Sequence, residues 1–66
     1  MTHEQMSDRA AKAERLRQRY QELERERENA GLYEEALEAR RMRHEQAAAA
    51  LYWRARAEEG ATADSL

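Results

Sequence analysis

The first half of the chain has the apolar spacing of an amphipathic helix. Its apolar residues recur at steps of seven, three, four and three, which places them on one helix face and leaves the remaining surface charged. Thr2 and Gln5 have the spacing of a capping box, in which each side chain binds a backbone N–H at the helix start. Ser7 with Asp8 offers a later start. The apolar stripe consists of Met6, Ala13, Leu16, Tyr20 and Leu23.

Gly31 lies between this helix and a second helical stretch. Asn29 and Ala30 precede it and Leu32 follows, the order expected where a helix ends with glycine in the left-handed conformation. The alternative is a single long coiled-coil helix, whose heptads would run straight through the glycine. That seam would carry Arg27, Glu34 and Arg41 at three consecutive a-type positions, where coiled coils prefer Ile or Val. We therefore predict an all-α, two-helix antiparallel hairpin, completed by oligomerisation or by a partner.

The predicted hairpin occupies residues 1–60. Helix 1 covers about residues 3–29, the turn residues 30–31 and helix 2 about residues 32–59. Gly60 is predicted to stop the second helix, and residues 61–66 are expected to form a disordered tail. In this hairpin a turn at residues 30–31 brings Ala13 opposite about position 48.

The second helix carries two apolar stripes on roughly opposite sides, at about 100° per residue. A helix in a two-helix hairpin has one neighbour, so one stripe is left without a cover. The leucine stripe comprises Tyr33, Leu37, His44, Ala48, Leu51 and Ala55, with Tyr52 at its edge. The tryptophan stripe comprises Leu32, Ala39, Met42, Gln46, Ala49, Ala50, Trp53 and Ala57.

We predict that the leucine stripe packs on helix 1 and that the tryptophan stripe binds a partner. Trp and Met are enriched at interfaces, and alanines beside them allow another helix to approach closely. The competing interpretation is that Met42 and Trp53 are ordinary scattered surface residues. The predicted partner-binding residues are Leu32, Ala39, Met42, Ala50, Trp53 and Ala57.

Composition supports a thin core. The chain has 66 residues and no cysteine, and its hydrophobic 41% is mostly alanine. A domain this small normally needs further stabilisation, such as very well packed helices or oligomerisation. We find no signal peptide and no apolar run of the roughly 20 residues that span a bilayer. These features predict a cytoplasmic protein that does not bind membranes.

No motif for chemistry is found in the sequence. His3 and His44 do not have metal-ligand spacing, the two helices offer no cleft in which carboxylates act as acid and base, and no glycine-rich phosphate loop is present. We therefore predict no catalytic residues, no metal and no cofactor, and a protein that is not an enzyme.

Arginines offer an alternative function. Charged residues make up 39% of the chain, with a net charge of only −2, and this balance is more typical of a salt-bridged helix surface than of a nucleic-acid-binding protein. A local basic cluster nevertheless occurs in helix 2, with a second one antiparallel to it in helix 1. The possible nucleic-acid contacts are Arg17, Arg19, Arg40, Arg41 and Arg43.

The segment GLYEEAL, residues 31–37, resembles the corner of a tetratricopeptide-type helix–turn–helix. Tyr20 and Leu23 match the large packing positions of that family's first helix, and Ala36 matches its small position. Arg40 and Arg43 depart from the pattern, because the second helix of the family is aromatic and small there. The resemblance implies a helix pair that leans on another helix.

Together these features predict a small, non-enzymatic protein–protein interaction module, such as an adaptor, co-chaperone or assembly factor. Its expected partner is a second copy of the chain, in a homodimer or larger assembly, or a larger helical protein. The alternative is a dimeric nucleic-acid-binding regulator of the small helical-bundle type.

Overall fold

The computed structural model describes the backbone of residues 1–65 and the side chains of residues 1–60. It consists of two helices packed against each other, α1 (His3–Asn29) and α2 (Tyr33–Ser65). The molecule measures 54 × 14 × 13 Å, whereas a continuous helix of nearly sixty residues would be about 85 Å long. The predicted antiparallel αα-hairpin is confirmed and the single long helix is excluded.

The start of α1 is fixed by the predicted capping box. The backbone N–H of Gln5 donates to the Thr2 hydroxyl at 3.1 Å, and the backbone N–H of Thr2 donates to the Gln5 side-chain oxygen at 2.9 Å. Two N–H groups that lack partners inside the helix are satisfied in this way. α1 therefore begins beside Thr2, not at the later start that Ser7 would provide.

A Schellman motif ends α1. Gly31 has a φ of +78°, and its N–H donates to the Glu28 carbonyl at 3.0 Å, while the N–H of Leu32 donates to the Arg27 carbonyl at 2.8 Å. These two hydrogen bonds satisfy carbonyls at the end of the helix, and they form only when the residue after the C-cap, Gly31, adopts the left-handed conformation. The prediction that Gly31 folds the chain by adopting this conformation is confirmed.

The C-terminal part of α2 extends beyond the predicted stop. Gly60 lies inside α2, which continues as far as Ser65. The φ angle of Gly60 is not positive. A Cβ placed on Gly60 would lie 3.2 Å from the Met6 Cε of α1. The glycine therefore marks a close approach of the two helices and not a helix end. The predicted tail, residues 61–66, lies outside the part of the chain whose side chains are described.

Heptad spacing runs along the interface on both helices. Each helix has a row of buried or half-buried residues at alternating steps of three and four, as in a coiled-coil seam. The α1 seam consists of Met6, Ala10, Ala13, Arg17, Tyr20, Glu24 and Arg27. The α2 seam consists of Ala36, Ala39, Arg43, Gln46, Ala50, Trp53, Ala57 and Gly60. Within residues 1–60, each buried hydrophobic residue is an alanine.

At the end of the hairpin away from the turn, large seam residues lie against small ones. Met6 of α1 lies over Gly60 of α2. Trp53 lines the same groove as Ala13, and its ring centroid is 5.0 Å from the guanidinium carbon of Arg9. This alternation lets the two backbones approach closely while the large side chains still find room.

Near the turn the seam is polar. Arg43 Nε donates to the Glu24 carboxylate at 3.1 Å, and only 14% of the Glu24 side chain is exposed. Arg27 Nη1 donates to the Glu35 carbonyl at 3.1 Å, which joins the end of α1 to the first turn of α2. Glu24, Arg27 and Arg43 of the seam thus make polar contacts between the two helices.

The faces of α2 are the reverse of those predicted. Ala39 and Ala50 of the tryptophan stripe are buried, at 1% and 2% exposure, whereas Leu37 and Leu51 of the leucine stripe are 62% and 65% exposed. The predicted packing of the leucine stripe on α1 is therefore wrong. Its other exposed members are Tyr33, His44, Ala48, Tyr52 and Ala55.

The reversal follows from side-chain size and register. The α1 stripe is confirmed as the face toward α2, since all its predicted residues are buried or half-buried, and it already supplies large side chains such as Tyr20. A second row of large residues would hold the axes apart, so a row of alanines packs there instead. Ala13 lies near Trp53 and not opposite position 48. That five-residue difference corresponds to about 140° of net rotation around α2.

The two glycines are expected to respond in opposite ways to alanine. Gly31→Ala should lower the free energy of unfolding by about 1 kcal/mol, because a Cβ is unfavourable at positive φ, although it would meet no atom within 4 Å. Gly60→Ala should not lower the free energy of unfolding. Alanine is more favourable than glycine inside a helix by up to about 1 kcal/mol, and the flexible Met6 methyl can move away from the new Cβ. Urea unfolding at one protein concentration, followed by circular dichroism, measures both. A larger loss in Gly60→Ala would contradict this account of the turn.

Leucine substitutions test which face of α2 is inside. Ala39→Leu should destabilise the hairpin by about 1–3 kcal/mol, because the seam has no space for the larger side chain. Ala48→Leu is the matched control on the exposed face and should change stability by less than about 0.5 kcal/mol. Thermal unfolding of both variants at low protein concentration would contradict the observed packing if Ala48→Leu were the more damaging change.

Candidate interaction surface

The leucine stripe forms an apolar surface on the side of α2 that faces away from α1. Tyr33 is 69% exposed, and Leu37 and Leu51 are exposed by nearly as much. Ala48 and Ala55, also exposed, lie between and beyond the leucines on the same stripe. These apolar side chains follow one helix face, which distinguishes them from scattered exposed residues, and His44 lies between the two leucines.

Polar residues of the stripe are basic or neutral. His44 is exposed near its middle, and Arg40 and Arg41 are exposed at its two edges. At about 100° per residue, the exposed Glu45 lies on the same edge as Arg41. One edge of the patch therefore carries Arg40, and the other carries charges of both signs.

Tyr52 connects the exposed patch to the seam. Its ring centroid lies 5.0 Å from that of Trp53 in an edge-to-face arrangement, with an interplanar angle of 81°. Arg56 lies over the Tyr52 ring, with its guanidinium carbon 5.6 Å from the ring centroid. These contacts orient Tyr52 at the edge of the patch while 53% of the residue stays exposed.

The residues predicted to bind a partner do not form one exposed surface. Ala39, Ala50 and Ala57 are buried against α1, and Met42 and Trp53 are half-buried. Leu32 is 48% exposed beside the turn. The sequence contained a signal for the correct face, namely the unbroken steps of three and four from residue 36 to residue 60, in which most residues are small.

The five candidate arginines are not gathered on one face. Arg17 binds the carboxylate of Glu14, with a 3.0 Å bond from Nε, and also donates to the Gln21 side chain at 3.1 Å. Arg43 is bound to Glu24 across the seam. Arg19, Arg40 and Arg41 are exposed, the first on α1 and the others on α2. Two of the five charges are thus already compensated by carboxylates.

Among the residues with described side chains, no group of three His, Cys, Asp or Glu residues is arranged to hold a metal ion. His3 and His44 are both exposed and lie on different helices. Within the same part of the chain, neither helix has the length and apolar character needed to cross a bilayer.

The fold and surface define a small αα-hairpin with an alanine-rich interior and an uncovered apolar face. Comparison with protein-family models, curated proteins and solved structures gave no match. The resemblance to a tetratricopeptide-type corner therefore stays a prediction. Its proposed small position, Ala36, is 3% exposed.

The Glu14–Arg17 pair predicts acid sensitivity. The hydrogen bond from Arg17 lowers the pKa of Glu14 below its ordinary value of 4.5. The pair therefore stabilises the folded chain when the pH is above the ordinary pKa of glutamate. This stabilisation is lost as the pH falls through the lowered pKa of Glu14. Glu14→Gln should have a lower melting temperature than wild type at pH 7, and the difference should shrink as the pH falls through the lowered pKa of Glu14.

The control for this experiment is Glu22→Gln, which removes an exposed carboxylate from the same helix. It should track wild type more closely across the pH range. Identical pH profiles for Glu14→Gln and Glu22→Gln would contradict the role of the Glu14–Arg17 pair.

Proposed function

We propose that this chain is a non-enzymatic protein–protein interaction module, of the adaptor, co-chaperone or assembly-factor kind, and that the leucine stripe of α2 is its binding surface. The observation that carries the proposal is the exposure of Leu37 and Leu51, at 62% and 65%, on a helix whose opposite side is buried. The surface differs from the one expected from sequence, but the class of function is the same.

The interior of the hairpin supports the need for a partner. Its buried hydrophobic residues within residues 1–60 are alanines, and no large side chain there is fully buried. Burial of a leucine contributes roughly 1.5–3 kcal/mol, so the chain leaves much of its available hydrophobic stabilisation unused. A partner that covers the leucine stripe would supply it.

The form of the stripe favours a helical partner. Its residues recur at helical spacing over positions 33–55, a length of about 33 Å at about 1.5 Å per residue. A straight apolar row of this kind packs into the groove of another helix or helix pair. Arg40, at one edge, would favour an acidic side chain on the rim of that partner, and the other edge, with Arg41 and Glu45, would favour side chains of both charges.

The arrangement of the arginines gives less support to the nucleic-acid alternative. Arg17 and Arg43 are bound to carboxylates, and the exposed arginines lie on both helices between acidic residues. Phosphate binding by a duplex-binding protein normally uses several uncompensated cations on one surface.

Affinity capture from the native cell tests the proposed function. Leu51→Glu places a charge within the stripe, and because Leu51 is exposed the hairpin should keep its helicity. We expect the proteins captured by the wild-type chain, including untagged copies of the chain itself, to be lost with Leu51→Glu. Mass spectrometry of the captured material and circular dichroism of each variant provide the two measurements.

The matched control is Arg19→Glu, a charge change on the exposed side of α1, which should capture the same proteins as wild type. If Leu51→Glu captures everything that wild type captures, the leucine stripe is not the binding surface. Captured nucleic acid that survives Leu51→Glu but is lost with Arg40→Glu would favour the nucleic-acid alternative instead.

A further inference from the structure

The leucine stripe is arranged almost symmetrically about His44. Leu37 lies seven residues before His44 and Leu51 seven residues after it; Tyr33 and Ala55 are each eleven residues away. At about 100° per residue these five residues fall within about 40° of one another around the helix. Reversing the direction of α2 therefore superposes the pattern of the stripe on itself.

From this symmetry we propose that a second copy of the chain covers the stripe, antiparallel to the first, with a twofold axis beside His44. The inference rests on the proposed function and names its partner. In this arrangement Leu37 of each copy packs on Leu51 of the other. An isologous contact needs one self-complementary patch, and the stripe provides one.

Size complementarity supports this antiparallel arrangement. The twofold axis places the large Tyr33 opposite the small Ala55 of the second copy. At each end of the stripe a large residue thus meets a small one, which avoids the crowding that two facing tyrosines would cause. A parallel pair would instead set Tyr33 against Tyr33.

Charge complementarity points the same way. Arg41 and Glu45 are both exposed and lie on the same edge of the stripe, three residues before and one residue after His44. A twofold axis perpendicular to the plane of the two α2 helices brings together residues from the same edge. Arg41 of each copy therefore comes close to Glu45 of the other, and His44 acts as a polar residue that fixes the register.

The chain has no cysteine, so single introduced cysteines report the arrangement directly. His44→Cys should form a disulfide-linked dimer with itself under mild oxidation, because it lies at the axis. Leu37→Cys alone should not, since its two copies would be about 21 Å apart, far beyond disulfide reach. A mixture of Leu37→Cys and Leu51→Cys should form the mixed dimer. Glu22→Cys, on the exposed side of α1, gives the background rate.

A charge exchange provides an independent test in solution. Leu37→Lys and Leu51→Glu should each abolish the dimer seen by sedimentation equilibrium. The double variant Leu37→Lys/Leu51→Glu should recover it, because an antiparallel pair sets lysine against glutamate at both ends. In a parallel pair the same double variant would set like charges together and would stay monomeric. Circular dichroism checks that every variant keeps its helices.

Three results would overturn the proposal. The first is a monomeric wild-type chain, together with cross-linking of the His44→Cys chain and of the mixture no faster than that of Glu22→Cys. The second is faster cross-linking of Leu37→Cys with itself than of the mixture of Leu37→Cys and Leu51→Cys. The third is a double variant that fails to dimerise. If the wild-type chain is monomeric but Leu51→Glu still loses a captured protein, the second copy is wrong and the proposed function stands. If capture and dimerisation both survive Leu51→Glu, both proposals fail.

Discussion

The close approach of α1 and α2 is the constraint on which the rest of the structure depends. Two helices with few large apolar residues gain most by bringing their backbones together, and that requires a row of small residues on at least one of them. α2 supplies the row with Ala36, Ala39, Ala50, Ala57 and Gly60. Once this row faces α1, Leu37 and Leu51 on the other side of α2 are left largely exposed. The exposed surface is thus a direct result of how the interior is packed.

Charges at the seam are compatible with this packing because the chain is antiparallel. A seam that carries Glu24 and Arg43 would be unfavourable if like residues faced each other, as in a parallel rod. In the hairpin the two groups form an ion pair, and the largely buried carboxylate keeps a partner. The same polar contacts that add little to stability define one register. They place the small residues of α2 opposite the large residues of α1.

The sequence was sufficient for the architecture but not for the face of α2. The capping box at Thr2 and the left-handed glycine at residue 31 depend on local backbone chemistry, which a sequence reveals directly. The orientation of α2 depends on the difference between two possible interfaces, each with apolar residues at helical spacing. The prediction assigned the tryptophan stripe to a partner because Trp and Met are enriched at interfaces, and this left the leucines to pack on the first helix. In the observed interface, the small residues of α2 pack closely against the large residues of α1. The leucines would instead have faced a first helix that already carries Leu16, Tyr20 and Leu23, and the two helix axes would have been held apart.

The position of Trp53 has an optical consequence. It is the single tryptophan of the chain, it belongs to the seam, and it lies against Arg9 of α1 and edge-on to Tyr52. Its fluorescence emission therefore reports whether the two helices are closed. The seam therefore contains an intrinsic probe of hairpin opening that needs no added label.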